Sequence, residues 1–132
     1  MKQSPNAGTL SEKLRRGELL AVDCPSRDVL KHVTSRWGLL SLMVLIDGTH
    51  RFSELRRKIG GVSEKMLAQS LQALEHDGFI LRRSLPVVPP HVEYSLTPLG
   101  VSVSAQVRGL VDWIETHMGD IISSRGEDAV PA

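Results

Sequence analysis

Two short helical patterns divided by a glycine pair constrain this chain more than any other feature. Residues 62–77, VSEKMLAQSLQALEHD, put Leu67, Leu71 and Leu74 at i, i+4 and i+7, one stripe of an amphipathic helix. Ser63 can cap the first turn, and Gly78 follows the last residue, where a left-handed cap is wanted. At about 100° per residue, Lys65, Gln69, Gln72 and His76 fall opposite the leucines. Residues 53–59 carry a shorter helical pattern in which Phe52, Leu55 and Ile59 are apolar and Arg56, Arg57 and Lys58 polar. Gly60-Gly61 separates the two. Two short helices around a glycine turn, the second with a polar outer face, make the helix-turn-helix pattern. The second helix is thereby predicted to read DNA.

The flanking segments fit around this pair. Residues 1–8 are rich in Ser, Pro, Asn and Gly and are expected to be loose; residues 10–16 can form a short helix with Leu10 and Leu14 on one side. Cys24-Pro25-Ser26 opens a helix to about residue 35, with Ser26 the expected cap and Val29, Leu30 and Val33 facing inward. Residues 37–46 are apolar on nearly every side, a pattern shared by buried helices and buried strands. The dominance of Leu and Met and the Asp47-Gly48 stop favour a helix, with Trp37 as a core anchor. Beyond the reading helix, residues 79–85 and 92–96 have strand character, and Pro86-Val87-Val88-Pro89-Pro90 between them forms a hairpin tip, since three prolines cannot sit in a central strand. A hairpin in that position is a wing. Thr97-Pro98 then caps and begins a last helix running to about residue 118.

The expected fold class is mainly α with a small β-hairpin: a winged helix-turn-helix domain with N- and C-terminal dimerisation helices. Its divisions are an N-terminal arm over 1–23, the winged domain over 24–97, a C-terminal helix over 98–118 and a polar tail over 119–132. The last helix carries Leu99, Val103, Val107, Leu110, Val111, Ile114 and Met118 on one broad stripe. A stripe that wide either folds back on its own subunit or meets a second copy. The two-fold partner is the economical answer, because a symmetric dimer reads a palindrome with half-sites about one helical turn apart.

Charge bears on function only once it is divided along the chain. The net charge of +1 hides seven Lys/Arg against four acids over residues 51–83, a local +3, and two Arg against five acids from residue 97 onward, a local −3. A basic middle suits a polyanion, although segregation in a small protein also arises without function. Scattered histidines with no metalloprotease, serine-hydrolase or phosphate-loop motif argue against an enzyme. One cysteine rules out an intrachain disulfide framework and a cysteine-rich metal site, and no cofactor is expected. Few aromatics, mostly at apolar positions, argue against an RNA reader. The first residues lack the apolar core of a signal peptide, and the longest apolar run, 39–46, is too short to cross a bilayer, so a cytoplasmic location with no membrane partner is expected. The rival class is a winged helix used only to dock proteins.

Specific residues resemble a known family. Cys24-Pro25, Trp37, Arg51-Phe52 with Glu54-Leu55-Arg56, Gly61-Val62-Ser63 with Lys65 and Leu67, Leu74-Glu75 with Asp77-Gly78, and Pro90 with Val92-Glu93-Tyr94-Ser95-Leu96-Thr97 and Gly100 together resemble the HxlR-type winged helix-turn-helix transcriptional regulators. The resemblance spans roughly residues 24–118. It implies a homodimeric bacterial DNA-binding regulator whose terminal helices form the interface. It also implies that some members sense oxidants or electrophiles through the cysteine of the Cys-Pro pair, so an effector small molecule or oxidant is a candidate partner. The chain departs from many members in having Ser35-Arg36 before the tryptophan and a less polar wing tip, Leu85-Pro86-Val87-Val88.

The expected site follows. Ser63, Lys65, Met66, Gln69 and Gln72 are the candidates for base reading, since lysine suits guanine, glutamine adenine, and an apolar side chain the thymine methyl. Arg36, Arg51, Arg56, Arg57, Lys58, Arg82 and Arg83 are the candidates for the phosphate backbone. Cys24 has two readings: a half-buried structural thiol, or a thiolate favoured by a helix N-terminus and Arg27.

Overall fold

In a computed structural model of the chain, Thr9, Glu12 and residues 24–126 are described. Leu10, Leu14 and the expected N-terminal helix therefore lie outside the described residues. The elements run α1 (Pro25–Thr34), α2 (Arg36–Leu45), β1 (His50–Arg51), α3 (Phe52–Ile59), α4 (Glu64–His76), β2 (Ile80–Leu85), β3 (His91–Leu96), α5 (Pro98–Thr116) and α6 (Met118–Ser124).

The first helix begins one residue pair earlier than the polar side chains suggest. Cys24 occupies its cap position and Pro25 its first turn, so Ser26 lies inside the helix and is not the cap. Proline at the first turn loses nothing, because that backbone position has no helical partner to donate to. Val33 is buried as expected, whereas Leu30 points outward. Ser35 ends α1 and caps α2, its hydroxyl oxygen accepting from the Gly38 N–H at 3.2 Å. The apolar run is thus a helix, and Leu42 and Leu45 sit at the centre of the core with Leu55, Leu67, Leu71 and Leu74. Trp37 packs partly buried against that cluster, as an anchor should.

The hairpin belongs to a three-stranded antiparallel sheet of order β1-β3-β2. Its register pairs Arg82 with Tyr94, Arg83 with Glu93 and Leu85 with His91, while β1 sets His50 opposite Tyr94 and Arg51 opposite Glu93. The two-residue β1 was not anticipated: so short a strand has no alternation to detect. Phe79, expected to open a strand, instead lies buried in the turn after Gly78 (φ 85°), and pairing starts at Ile80.

The last helix is fastened to this turn. The Thr97 N–H donates to Phe79 O at 3.1 Å, the Thr97 hydroxyl donates to Gly78 O at 2.6 Å, and its oxygen accepts from the Gly100 N–H at 3.0 Å. The expected single stripe of α5 is divided in two by this seating. Val107 is buried in the protein's own core, and Val103 and Val111 pack partly buried against it. Leu99, Leu110 and Ile114 remain 56%, 48% and 39% exposed, joined by Trp113. Two things divide them: Leu99 and Leu110 lie at one edge of the roughly 120° that the seven residues cover, and Ile114 lies toward the C-terminal end, where no residue of the helix after Val107 is buried. Helix also continues where a polar tail was expected, since α6 follows a break at His117 and runs to Ser124. At the break the His117 ring stacks on Trp113 with centroids 4.2 Å apart. Among the described residues no helix is long and apolar enough to cross a membrane.

Candidate nucleic-acid interface

The turn between α3 and α4 needs two left-handed residues in succession, and the glycine pair meets that need with φ of 71° and 69°. Val62 is buried behind the turn, and the Ser63 hydroxyl oxygen accepts from the Met66 N–H at 3.1 Å. Ser63 is therefore a helix cap first, although it stays exposed. With Leu67, Leu71 and Leu74 buried, the rotation of α4 is fixed, and Lys65, Met66, Gln69, Gln72 and His76 face outward. The base-reading candidates thus share one bare surface.

That surface has a basic flank on each side. Toward the wing, Lys65 and Ala68 share a shallow cleft with Arg82, Val92 and Tyr94, and Gln72 and Glu75 share a second hollow with the same Arg82. Toward the other side, Gln69, Ser70 and Ala73 line a hollow with Lys31, His32 and Ser35 of the first helix and its end. The His32 ring Nδ1 lies 2.5 Å from the Asp77 carboxylate at the end of α4, pinning α1 to that helix. Lys31 was not among the expected contacts. It lies far from the helix-turn-helix in sequence, and only the tertiary fold brings it beside Gln69.

Comparison with known proteins follows the same outline. Residues 32–121 match the family model described as HxlR-like helix-turn-helix. The chain belongs to that family. It is 66% identical over 121 residues to the HTH-type transcriptional regulator YtfH of Escherichia coli (strain K12), covering 92% of this chain and 96% of the relative. Among solved structures it resembles the transcriptional regulator ytfH of Salmonella typhimurium at 70% identity and a TM-score of 0.78, over 81% of this chain and 96% of the other. It also resembles the reduced form of the redox regulator HypR at 36% identity and a TM-score of 0.66, over 76% and 98% of the two chains. The protein is a transcriptional regulator of the helix-turn-helix type.

Within this HxlR-like fold the expected backbone contacts do not act alike. Arg57 is exposed beside the glycine turn, with no bond to hold it back among those seen for α3. Arg56 instead braces the turn, its Nε donating to Val62 O at 3.2 Å and its Nη1 to Glu64 at 3.5 Å. Lys58 reaches the buried His50 ring, with Nζ and Nε2 2.8 Å apart, while Nδ1 of that ring lies 2.7 Å from Gly48 O. A carbonyl only accepts and an ammonium only donates, so Nδ1 carries the proton and Nε2 accepts from Lys58. Arg36 lies over the Trp37 ring, 5.3 Å from its centroid.

Strand geometry separates the two wing arginines. Successive side chains point to opposite faces, so Arg82 sides with Tyr94 and His50, toward α4, whereas Arg83 and Arg51 flank Glu93 on the reverse face. Cys24 is 5% exposed, with its Sγ 3.1 Å from the Ser26 hydroxyl.

Proposed function

We propose that two copies of this regulator bind a pseudo-palindromic DNA operator, each presenting α4 to one major groove. The observation that carries the reading is the bare Lys65/Gln69/Gln72 surface between Arg82 on one side and Lys31 on the other. Lys65, Gln69, Gln72 and Met66 read base edges. Arg57, Arg82 and Lys31 hold phosphates, which supplies affinity and salt dependence without sequence information. Arg56 and Lys58 serve mainly by keeping α3 and the turn in place, and Arg51 and Arg83 act from the rim. The uncovered Leu99, Leu110, Trp113 and Ile114 are the surface through which the copies pair. The burial of Cys24 supports a structural thiol, because reactive cysteines sit in partly exposed sites.

Selecting bound sequences from a random duplex pool tests this reading. The expected product is an inverted repeat with half-site centres about 10–10.5 base pairs, or a multiple, apart. Arg57→Ala should then weaken binding to all duplexes alike and lower the salt slope by about one, while Gln69→Ala should relax one base position by about 1–3 kcal/mol. A winged helix that only docks proteins would enrich no sequence and show no salt-dependent duplex binding.

A further inference from the structure

We propose that the wing tip is an apolar wedge that enters the minor groove flanking each half-site and kinks the duplex there. The inference rests on the DNA-binding reading above, and it concerns a part of the surface that reading leaves unused. Residues 86–90 are Pro-Val-Val-Pro-Pro, with no charged or hydrogen-bonding side chain between Ser84 and His91. Val88 is 99% exposed and Val87 is exposed too, so neither contributes to the core. Water-facing apolar side chains at the end of a basic hairpin are poor phosphate ligands. They suit a partner with an apolar interior reached through a polyanionic shell, and stacked base steps are that partner.

Two further observations support the assignment. Proline fixes φ at three of the five tip positions, and the Val87 N–H donates to Leu85 O at 2.9 Å, so the tip is already shaped and little order has to be imposed on insertion. Its placement is also suitable. Arg82 lines the cleft beside α4, and from there β2 runs about 10 Å to Leu85 at roughly 3.3 Å per residue, before the tip itself adds further reach. Adjacent grooves lie about half a helical turn apart, roughly 17 Å, a span that the strand and its tip together are long enough to bridge. Pyrimidine–purine steps, which unstack most easily, are the expected seats.

The experiment measures the bend of the selected operator by end-to-end energy transfer, for the parent protein and for Val88→Ser and Val87→Ser/Val88→Ser. Neither substitution touches the core, so folding is retained. The expected parent bend is in the range of about 20–90° known for inserted apolar side chains. The double variant should lose more than half of that bend and its preference for TA or CA steps at the flank, while still binding a duplex nicked at that step as tightly as the parent. A straight operator, or a bend equal in parent and variants, overturns the wedge and leaves the tip to a protein partner. If the parent binds no duplex at all, the DNA-binding reading fails with it, an outcome distinct from binding without bending.

Discussion

Gly100 sets how closely the last helix approaches the wing, and replacing it by alanine tests that seating. A Cβ at this position would lie 1.9 Å from Phe79 O, with Leu96 Cδ2 at 3.3 Å on another side. Reaching even 3.0 Å requires the helix and the turn to part by about 1.1 Å, against a carbonyl fixed in the backbone. The Thr97 N–H to Phe79 O bond spans 3.1 Å beside this contact, and an opening of that size ends it. Overpacking costs about 1–3 kcal/mol and the lost bond about 1. Better helix propensity returns about 1, leaving a net loss of about 2 kcal/mol. For a domain of this size that is a fall in Tm of roughly 8 °C. Gly109 on the same helix is the control, because an added Cβ there meets nothing within 4 Å and should stabilise by up to about 1 kcal/mol. Urea and thermal melts at one fixed protomer concentration read both variants. Gly100→Ala melting together with Gly109→Ala would refute the claim that the Phe79 carbonyl limits the approach of α5.

Two other expectations concern pairing and acid. Leu110→Asp puts a charge on the uncovered side of α5 and should turn a dimer into a monomer by sedimentation velocity, with helix content unchanged; a dimer that persists places the interface elsewhere. The Glu54 carboxyl is held below its usual pKa of 4.5, first by the Arg51 N–H donating to it at 2.8 Å, then by the positive charges of Arg51 and Arg57. A depressed folded-state pKa means stability that is complete above the unfolded value and lost as pH falls through the folded one. The urea midpoint should therefore drop on acidification from about pH 5 downward, and less steeply in Glu54→Gln; equal slopes would remove the capping contact from the explanation.

Much of this architecture is legible in local pattern. Leu67, Leu71 and Leu74 specify the rotation of α4, Gly60-Gly61 its separation from α3, and the proline-rich tip the end of the hairpin, because each signal depends only on near neighbours in the chain. The residues whose surroundings the sequence does not show share an opposite property. Ser26 looks like a cap until Cys24-Pro25 starts the helix ahead of it, and Val107 looks like part of an interface until the core covers it. Arg56 and Lys58 look like two equivalent surface cations, yet Val62 O and the His50 ring engage them.

From sequence alone came the helix-turn-helix, the wing, the family and the outward set Lys65, Gln69 and Gln72. Tertiary structure alone decided that Arg82 rather than Arg83 faces α4, that Lys31 lies beside it, and which apolar residues of α5 are covered and which are left open. Periodicity records how an element is turned about its own axis. Which neighbour covers a given side is set by contacts between residues distant in the chain, and no local pattern carries that information.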